Sequence, residues 1–237
     1  GCVTTKERGL TEISAGGEAL DQRLSLARRY IGDKNWSDAK RNLRLATQIS
    51  PNDAQVYEVY ALFHQSTGEL DLAEDYFKEA IDRRPDFSRA RNNYAAFLFM
   101  LSRFEEARKQ LVVVIDDALY SARPQAFVNL GMCESKLGNL IAAKDAYTRA
   151  LLMEPRNSLA LIELGYIALD SGDLALARQY YDKHRDIVRR QSSRALWLGI
   201  QLARKQNDRD MEGSLSLLLE SWYPNSLEYQ FHAKDGQ

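Results

Sequence analysis

Residues 130–155 read LGMCESKLGNLIAAKDAYTRALLMEP, and this stretch carries the pattern that decides the fold. Two small residues, Gly131 and Ala143, precede a bulky aromatic residue and a final proline. Gly138 lies between them, where a residue that tolerates a positive φ ends a helix at low cost. Pro155 marks the end of a second helix, because proline lacks an amide hydrogen and clashes with the preceding turn. The stretch therefore predicts two helices joined by a tight turn.

The same order of residues returns along the chain at a nearly constant interval. Two series of small residues let paired helices approach closely, a third series is bulky and apolar, and a fourth is proline. The members are Ala27, Ala61, Ala95, Gly131, Gly165 and Gly199; Ala39, Ala73, Ala107, Ala143 and Ala177; Leu43, Phe77, Leu111, Tyr147, Tyr181 and Leu215; and Pro51, Pro85 and Pro155. Successive alanines of the second series are 34, 34, 36 and 34 residues apart, which is the period of the tetratricopeptide repeat. The sequence therefore predicts an all-α fold, a right-handed superhelical solenoid of six tetratricopeptide helix-turn-helix repeats.

The repeat boundaries follow from this register. We expect repeats at 20–53, 54–87, 88–123, 124–157, 158–191 and 192–225. The third repeat carries two extra residues near 116–123, which should lengthen its second helix or the loop after it. In the last two repeats, His184 and Met211 stand where small residues are expected. Such degeneracy is typical of terminal repeats, whose outer face must meet water.

The two ends of the chain differ from the repeats. Residues 1–19 are rich in threonine, serine, glycine and charge and show little apolar periodicity, so we predict a mobile tether there. Residues 226–237 are predicted to form a C-terminal cap that packs Leu227, Tyr229 or Phe231 over the open end of the array.

Composition and motifs exclude several classes of function. The chain has 32 basic and 33 acidic residues and a net charge of -1, whereas nucleic-acid binders normally carry a clustered basic excess. The two cysteines and three histidines are scattered, without the spacing of a metal site or a disulfide framework. No phosphate-binding loop or catalytic constellation is present. We therefore expect no metal, no cofactor, no nucleic acid and no enzymatic activity, but a chain that binds another protein.

The first helix of each pair is where a partner is expected to bind, because such arrays take ligands chiefly along the concave face that these helices build. The side chains expected to line this groove are Leu24, Arg28, Ile31, Glu58, Leu62, Asn92, Asn93, Ala96, Phe99, Asn129, Met132, Ile162 and Tyr166. The apolar members would form an exposed strip, which usually marks an interaction surface. The asparagines would hold the backbone of an amphipathic helix or an extended segment. Alternatively, superhelical twist buries some of the apolar members against the neighbouring repeat.

Several stretches resemble a known family more closely than the repeat pattern alone requires. They are Arg91-Asn92-Asn93-Tyr94 with Phe97-Leu98, Arg103-Phe104-Glu105-Glu106-Ala107, Ala195-Leu196-Trp197-Leu198-Gly199-Ile200 with Leu202-Ala203, and Tyr223-Pro224-Asn225-Ser226-Leu227-Glu228-Tyr229. Together they resemble the PilF/PilW family of type IV pilus biogenesis lipoproteins, over nearly the whole chain. This resemblance implies a six-repeat pilotin, which helps the outer-membrane secretin ring to reach the membrane, assemble or stay assembled. The implied partner is the secretin subunit of the type IV pilus, and we expect a monomer.

The N-terminus fits the same resemblance. Gly1-Cys2 looks like the end of a bacterial lipobox, whose cysteine becomes the acylated first residue, so lipidation is expected at Cys2. Acyl chains anchor a protein because each buried methylene contributes roughly 0.8 kcal/mol. Val3 is not the aspartate that resembles an inner-membrane retention signal. The expected location is therefore the periplasmic face of the outer membrane of a Gram-negative bacterium, reached through the N-terminal lipid.

Two other protein-binding functions stay open from the sequence. One is a different tetratricopeptide lipoprotein of the cell envelope, serving β-barrel insertion or cell-wall enzymes. The other is a cytosolic co-chaperone that clamps C-terminal carboxylates, for which Arg28, Arg89 and Asn92 are a partial match with poorly fitting apolar neighbours. Incorporation of labelled palmitate at Cys2 would exclude the cytosolic protein.

Overall fold

A computed structural model describes residues 6–235, with side chains from residue 16 to residue 234. This part of the chain folds into thirteen α-helices and contains no strand. The helices are α1 (Lys6–Gly32), α2 (Trp36–Ile49), α3 (Ala54–Thr67), α4 (Leu70–Arg83), α5 (Ser88–Met100), α6 (Phe104–Asp116), α7 (Arg123–Lys136), α8 (Leu140–Met153), α9 (Ser158–Asp170), α10 (Leu174–Ile187), α11 (Ser193–Gln206), α12 (Arg209–Trp222) and α13 (Leu227–Asp235). The predicted all-α class is confirmed.

Each predicted repeat contains one helical hairpin, α1 with α2 through to α11 with α12. The turn inside every hairpin places one residue in the left-handed region. These residues are Lys34 (φ 57°), Gly68 (84°), Ser102 (60°), Gly138 (82°), Gly172 (83°) and Asn207 (57°). Glycine takes this conformation without strain, whereas another residue loses roughly 1–2 kcal/mol there. The three glycines are therefore where the sequence pattern is clearest, and the other three turns carry no glycine signal.

The extra residues of the third repeat lengthen a loop and not a helix. Helix α6 ends at Asp116, and α7 begins at Arg123 after six intervening residues, whereas four residues separate α4 from α5. The chain divides into two compact units within this loop, between Tyr120 and Ser121. We call these the N-terminal unit (α1–α6) and the C-terminal unit (α7–α13).

The N-terminal segment differs from the prediction of a tether over residues 1–19. Helix α1 begins at Lys6, so most of that segment is helical. No proline interrupts residues 6–19, and the backbone hydrogen bonds of α1 can therefore continue N-terminally from the buried Leu20. Cys2, the predicted lipidation site, lies outside the described residues.

The small residues of the repeat pattern allow the helices of each pair to approach. In the N-terminal unit Ala39, Ala73 and Ala107 are all 0% exposed. In the C-terminal unit Ala143 and Ala177 are equally buried, but the other small-residue series changes from alanine to glycine, and Gly131 and Gly199 lie against tyrosine rings. A Cβ atom at Gly199 would lie 2.6 Å from the ring of Tyr181, closer than atoms can pack. Glycine is needed here because the facing tyrosine fills the space that an alanine methyl group would take.

His184 makes the stability of the C-terminal unit depend on pH. It is 2% exposed on α10, where other repeats have Ala46, Ala80 and Ala150, and its Nδ1 is buried without a hydrogen-bond partner. Burial lowers the pKa of His184 below its ordinary value of 6.5, so the folded unit favours the neutral ring. Its contribution to stability is therefore complete above pH 6.5 and is lost as the pH falls below that value.

We expect the free energy of unfolding to fall through this group between pH 7 and pH 5.5, because the unfolded chain takes up a proton that the folded unit disfavours. Urea denaturation of the protein and of His184→Ala at both pH values measures the effect. The variant should lose less stability on acidification. An equal loss in both proteins would contradict this assignment.

Candidate protein-binding face of the first helices

The first helices of the N-terminal unit, α1, α3 and α5, lie side by side. Their outward side chains share one surface, which we call the first-helix face. It carries Arg28, Gln55, Leu62, Arg89, Asn93, Ala96, Phe99 and Met100, with Glu58 beneath them. Each of these residues except Gln55, Arg89 and Met100 was predicted to line the groove.

Three of the predicted apolar groove residues lie in the core. Leu24 is 0% exposed, Ile31 8% and Ile162 4%, and each packs in a hydrophobic cluster with residues of neighbouring helices. The expectation that they line an open groove was wrong, because the adjacent helices cover them. Asn92 is also buried, at 8% exposed, so it is Asn93 that presents its amide on the first-helix face.

Glu58 is the electrostatic centre of this face. Its carboxylate is 0% exposed, and it receives donors from two neighbouring helices. Arg28 donates from Nη2 to Oε2 at 2.5 Å, and Asn93 donates from Nδ2 to Oε1 at 2.7 Å. A buried carboxylate is retained only where such partners compensate its lost hydration. Glu58 therefore links α1, α3 and α5 through side chains that lie 30 and 35 residues from it in the sequence.

Arg89 extends the polar cluster towards the beginning of α5. Its Nε lies 3.5 Å from Glu58 Oε2, and its Nη2 donates to Gln55 Oε1 at 2.8 Å. Its guanidinium also lies over the ring of Phe87, 5.1 Å from the centroid. Burial lowers the pKa of Arg89, and nearby Arg28 acts in the same direction while Glu58 opposes it. The sequence indicated Arg89 only as part of a partial match to co-chaperones that bind C-terminal carboxylates.

The later turns of the same helices are apolar. Leu62 and Phe99 are half-buried, Ala96 is exposed, and Met100 is 53% exposed. Phe99 packs on Phe104 with ring centroids 5.0 Å apart. Met100 was missed by sequence reasoning, although its apolar character at the end of an amphipathic helix was a signal for it. The first-helix face thus combines a polar cluster with an apolar surface on the same helices.

The predicted groove residues of the C-terminal unit are engaged within the unit. Asn129 accepts a hydrogen bond from Gln125 at 3.0 Å, and Met132 is half-buried. Tyr166 donates to the carbonyl oxygen of Arg194 at 2.7 Å, and the guanidinium of Arg194 lies 4.3 Å from its ring centroid. Glu163 holds that guanidinium with two contacts of 2.6 and 2.7 Å. Tyr166 is therefore held by contacts within the C-terminal unit, whereas Met132 is only half-buried.

Helix α13 packs against α11 and α12. Its His232 lies edge-on to Trp197, 6.2 Å between centroids, and Tyr229 packs on the core of the C-terminal unit. Of the three residues predicted to cap the array, only Tyr229 does so. Leu227 and Phe231 are 64% and 50% exposed, because they lie on the outer side of the helix.

Within residues 6–235, no group of three or more histidine, cysteine or carboxylate side chains could hold a metal ion. In the same range no helix is both long and apolar enough to cross a bilayer.

The helical hairpins and the face they present define a tetratricopeptide-repeat protein, a class whose arrays bind other proteins. Tetratricopeptide-repeat family models match residues 65–127 and 128–194. The chain is also 32% identical over 231 residues to the type IV pilus assembly protein PilF of Pseudomonas aeruginosa, covering 97% of this chain and 91% of that protein. It belongs to the PilF/PilW family of tetratricopeptide-repeat proteins.

Solved structures agree with this assignment. A structure of Pseudomonas aeruginosa PilF matches with a TM-score of 0.86 at 32% identity, over 93% of this chain and 99% of that one. A structure of PilW, described as a widely conserved type IV pilus biogenesis factor, matches with a TM-score of 0.77 at 25% identity, over 90% of this chain and 98% of that one. The likeness therefore extends over almost the full length of both relatives.

Proposed function

We propose that this chain acts in type IV pilus biogenesis as an outer-membrane pilotin. In this function it binds the secretin subunit and supports the localisation, assembly or stability of the secretin multimer. Membership of the PilF/PilW family supports a part in pilus biogenesis. The binding site is assigned to the first-helix face because exposed Ala96 and Met100 lie on α5, which also carries Asn93, a donor to Glu58.

The N-terminal unit is the favoured binding unit because its first helices keep apolar side chains available. Met100 is 53% exposed, whereas Tyr166 in the C-terminal unit is held by Arg194. Exposed apolar side chains beside polar donors suit an amphipathic helix or an extended apolar segment. The partner segment should therefore carry apolar and polar residues on one face, at intervals of three or four in a helix or of two in an extended segment.

Anchoring belongs to the same proposal. Acylation at Cys2 would hold the chain on the periplasmic face of the outer membrane. The test is labelled palmitate incorporation in the protein and in Cys2→Ser, followed by membrane fractionation. Loss of label together with release from the membrane supports the anchor, and an unlabelled wild-type protein contradicts it.

Loss of the protein is expected to abolish heat-resistant secretin multimers and twitching motility in the source bacterium. Immunoblots of unboiled outer membranes measure the multimers in a deletion strain and after complementation. Normal multimers in the deletion strain would contradict the pilotin role. Capture of a β-barrel insertion factor or a cell-wall enzyme in place of secretin would favour the alternative of another envelope lipoprotein adaptor.

Met100→Asp should weaken secretin binding roughly tenfold or more, as expected for loss of an apolar anchor at an interface. The matched control is Leu72→Asp on α4, a second helix, where the side chain is 45% exposed. Binding of the purified variants to the periplasmic part of the secretin is measured by calorimetry. An equal effect of both substitutions would remove the first-helix face from the proposal.

A further inference from the structure

Three guanidinium groups gather around the polar cluster of the first-helix face. Arg28 and Arg89 flank Glu58. Arg84 stacks on Phe87 at 3.5 Å from the ring centroid, and Arg89 lies over the same ring at 5.1 Å. The cluster is thus built by α1, α3, α5 and the residue that follows α4.

Positive charge exceeds negative charge in this cluster. Arg28 and Arg89 share the single carboxylate of Glu58, and Arg84 adds a third guanidinium on the ring of Phe87. The guanidinium groups repel one another: burial lowers the pKa of Arg89, Glu58 opposes this, and Arg28 and Arg84 lower the pKa further. A local excess of positive charge attracts an anionic partner group more strongly here than at a hydrated surface.

The arginines also have donors left over. The Nε atoms of Arg28, Arg84 and Arg89 are buried and have no hydrogen-bond partner. Glu58 does not satisfy them in this arrangement: its Oε2 accepts from Arg28 Nη2 and its Oε1 from Asn93 Nδ2, and Arg89 Nε stays 3.5 Å from Oε2. These Nε atoms lie beneath the surface, but the side chains of Arg28 and Arg89 are 29% and 38% exposed, so an acceptor on a partner can reach the outer part of each guanidinium.

We propose that the partner segment bound on the first-helix face carries an acidic residue whose carboxylate contacts Arg28 and Arg89, next to an apolar residue that packs on Ala96 and Met100. Carboxylate is the acceptor that matches a guanidinium fork. This inference rests on the proposed function only in that a protein segment binds this face. It adds that the segment must be acidic at the end nearest Arg89.

Glu58→Gln tests whether the arginines bind an acidic partner group or Glu58 only holds the helices together, because the two possibilities predict opposite changes in affinity. The substitution removes the internal carboxylate that neutralises Arg28 and Arg89, while the amide oxygen can still accept from one of them. Recognition of an acidic segment predicts tighter binding, roughly fivefold or more, because both arginines become available to the partner. If Glu58 only held the helices together, the same substitution would weaken binding.

A double variant controls for damage to the fold. Arg89→Gln alone leaves the carboxylate of Glu58 less compensated, whereas Glu58→Gln with Arg89→Gln removes one charge of each sign. This double variant should keep the helical circular dichroism spectrum and yet lose roughly tenfold in affinity. If it does not fold, Arg89→Lys keeps the charge, loses the planar fork and should bind more weakly.

The bound segment is identified by placing a photoreactive amino acid at Ala96 in the full-length protein and mapping the crosslinked peptide by mass spectrometry. Changing its acidic residue to the amide should weaken binding to the wild-type protein about as much as the double variant does. An amidated C-terminus on a peptide probe of the mapped segment distinguishes a terminal carboxylate from a side chain. A mapped segment without an acidic group, or unchanged affinity after the acid-to-amide substitution, overturns the proposal.

The two proposals fail separately. A crosslinked segment from a protein other than secretin removes the pilotin function while leaving acid recognition testable with that segment. A secretin segment whose binding ignores Glu58→Gln and the double variant removes acid recognition and leaves the pilotin function in place.

Discussion

Replacing Leu24 by alanine should lower the free energy of unfolding of the N-terminal unit by about 2–5 kcal/mol. The sequence pattern placed Leu24 in the binding groove, where a substitution would alter ligand affinity and leave stability unchanged. The structure buries it completely, at 0% exposed, in a cluster with Ala39 and Val59. Alanine would leave a cavity that the packed helices fill only in part.

Urea denaturation followed by circular dichroism measures this loss. Ala96→Ser is the matched control, since Ala96 is an exposed residue of a first helix in the same unit; it should change stability by less than about 0.5 kcal/mol. If Leu24→Ala left the unfolding midpoint unchanged but reduced partner binding, Leu24 would be a groove residue and not a core residue.

Tyr147→Ala should destabilise the C-terminal unit by about 3–5 kcal/mol, as for other large buried aromatic residues. Tyr147 is 1% exposed on α8, and burial raises the pKa of its hydroxyl to about 12. The ring lies directly against α7, where a Cβ atom at Gly131 would come within 2.6 Å of its Cε1. The ring of Tyr147 therefore fits only because residue 131 has no side chain.

A double-mutant cycle tests this dependence. Gly131→Ala in the wild-type background should cost about 1–3 kcal/mol, because the new methyl group overlaps the tyrosine ring. In the Tyr147→Ala background the same methyl group enters the cavity and improves the helix propensity of α7, so the cost should vanish or change sign. If the two substitutions change the free energy of unfolding additively, the ring of Tyr147 is not the reason for a glycine at position 131. Gly213 is a suitable control, since a Cβ there would meet nothing within 4 Å.

The candidate site was predictable in part. Arg28, Leu62, Asn93, Ala96 and Phe99 lie on the first-helix face as expected, because their position within the repeat decides which way they point. Leu24 and Ile31 share that helical periodicity but lie under the neighbouring repeat. A single amphipathic helix cannot distinguish a side chain that faces ligand from one that faces the next helix, since both are apolar and both lie on its inner side.

The sequence by itself determined the repeat architecture, because small residues every 34 to 36 positions are required wherever paired helices come close. It also determined the family, through stretches such as the one at 223–229 that are not repeat consensus. Only the tertiary structure decided that Glu58 is a buried carboxylate shared by Arg28 and Asn93. The reason is that Arg28 precedes Glu58 by 30 residues and Asn93 follows it by 35. Only the stacking of whole hairpins brings these three side chains together.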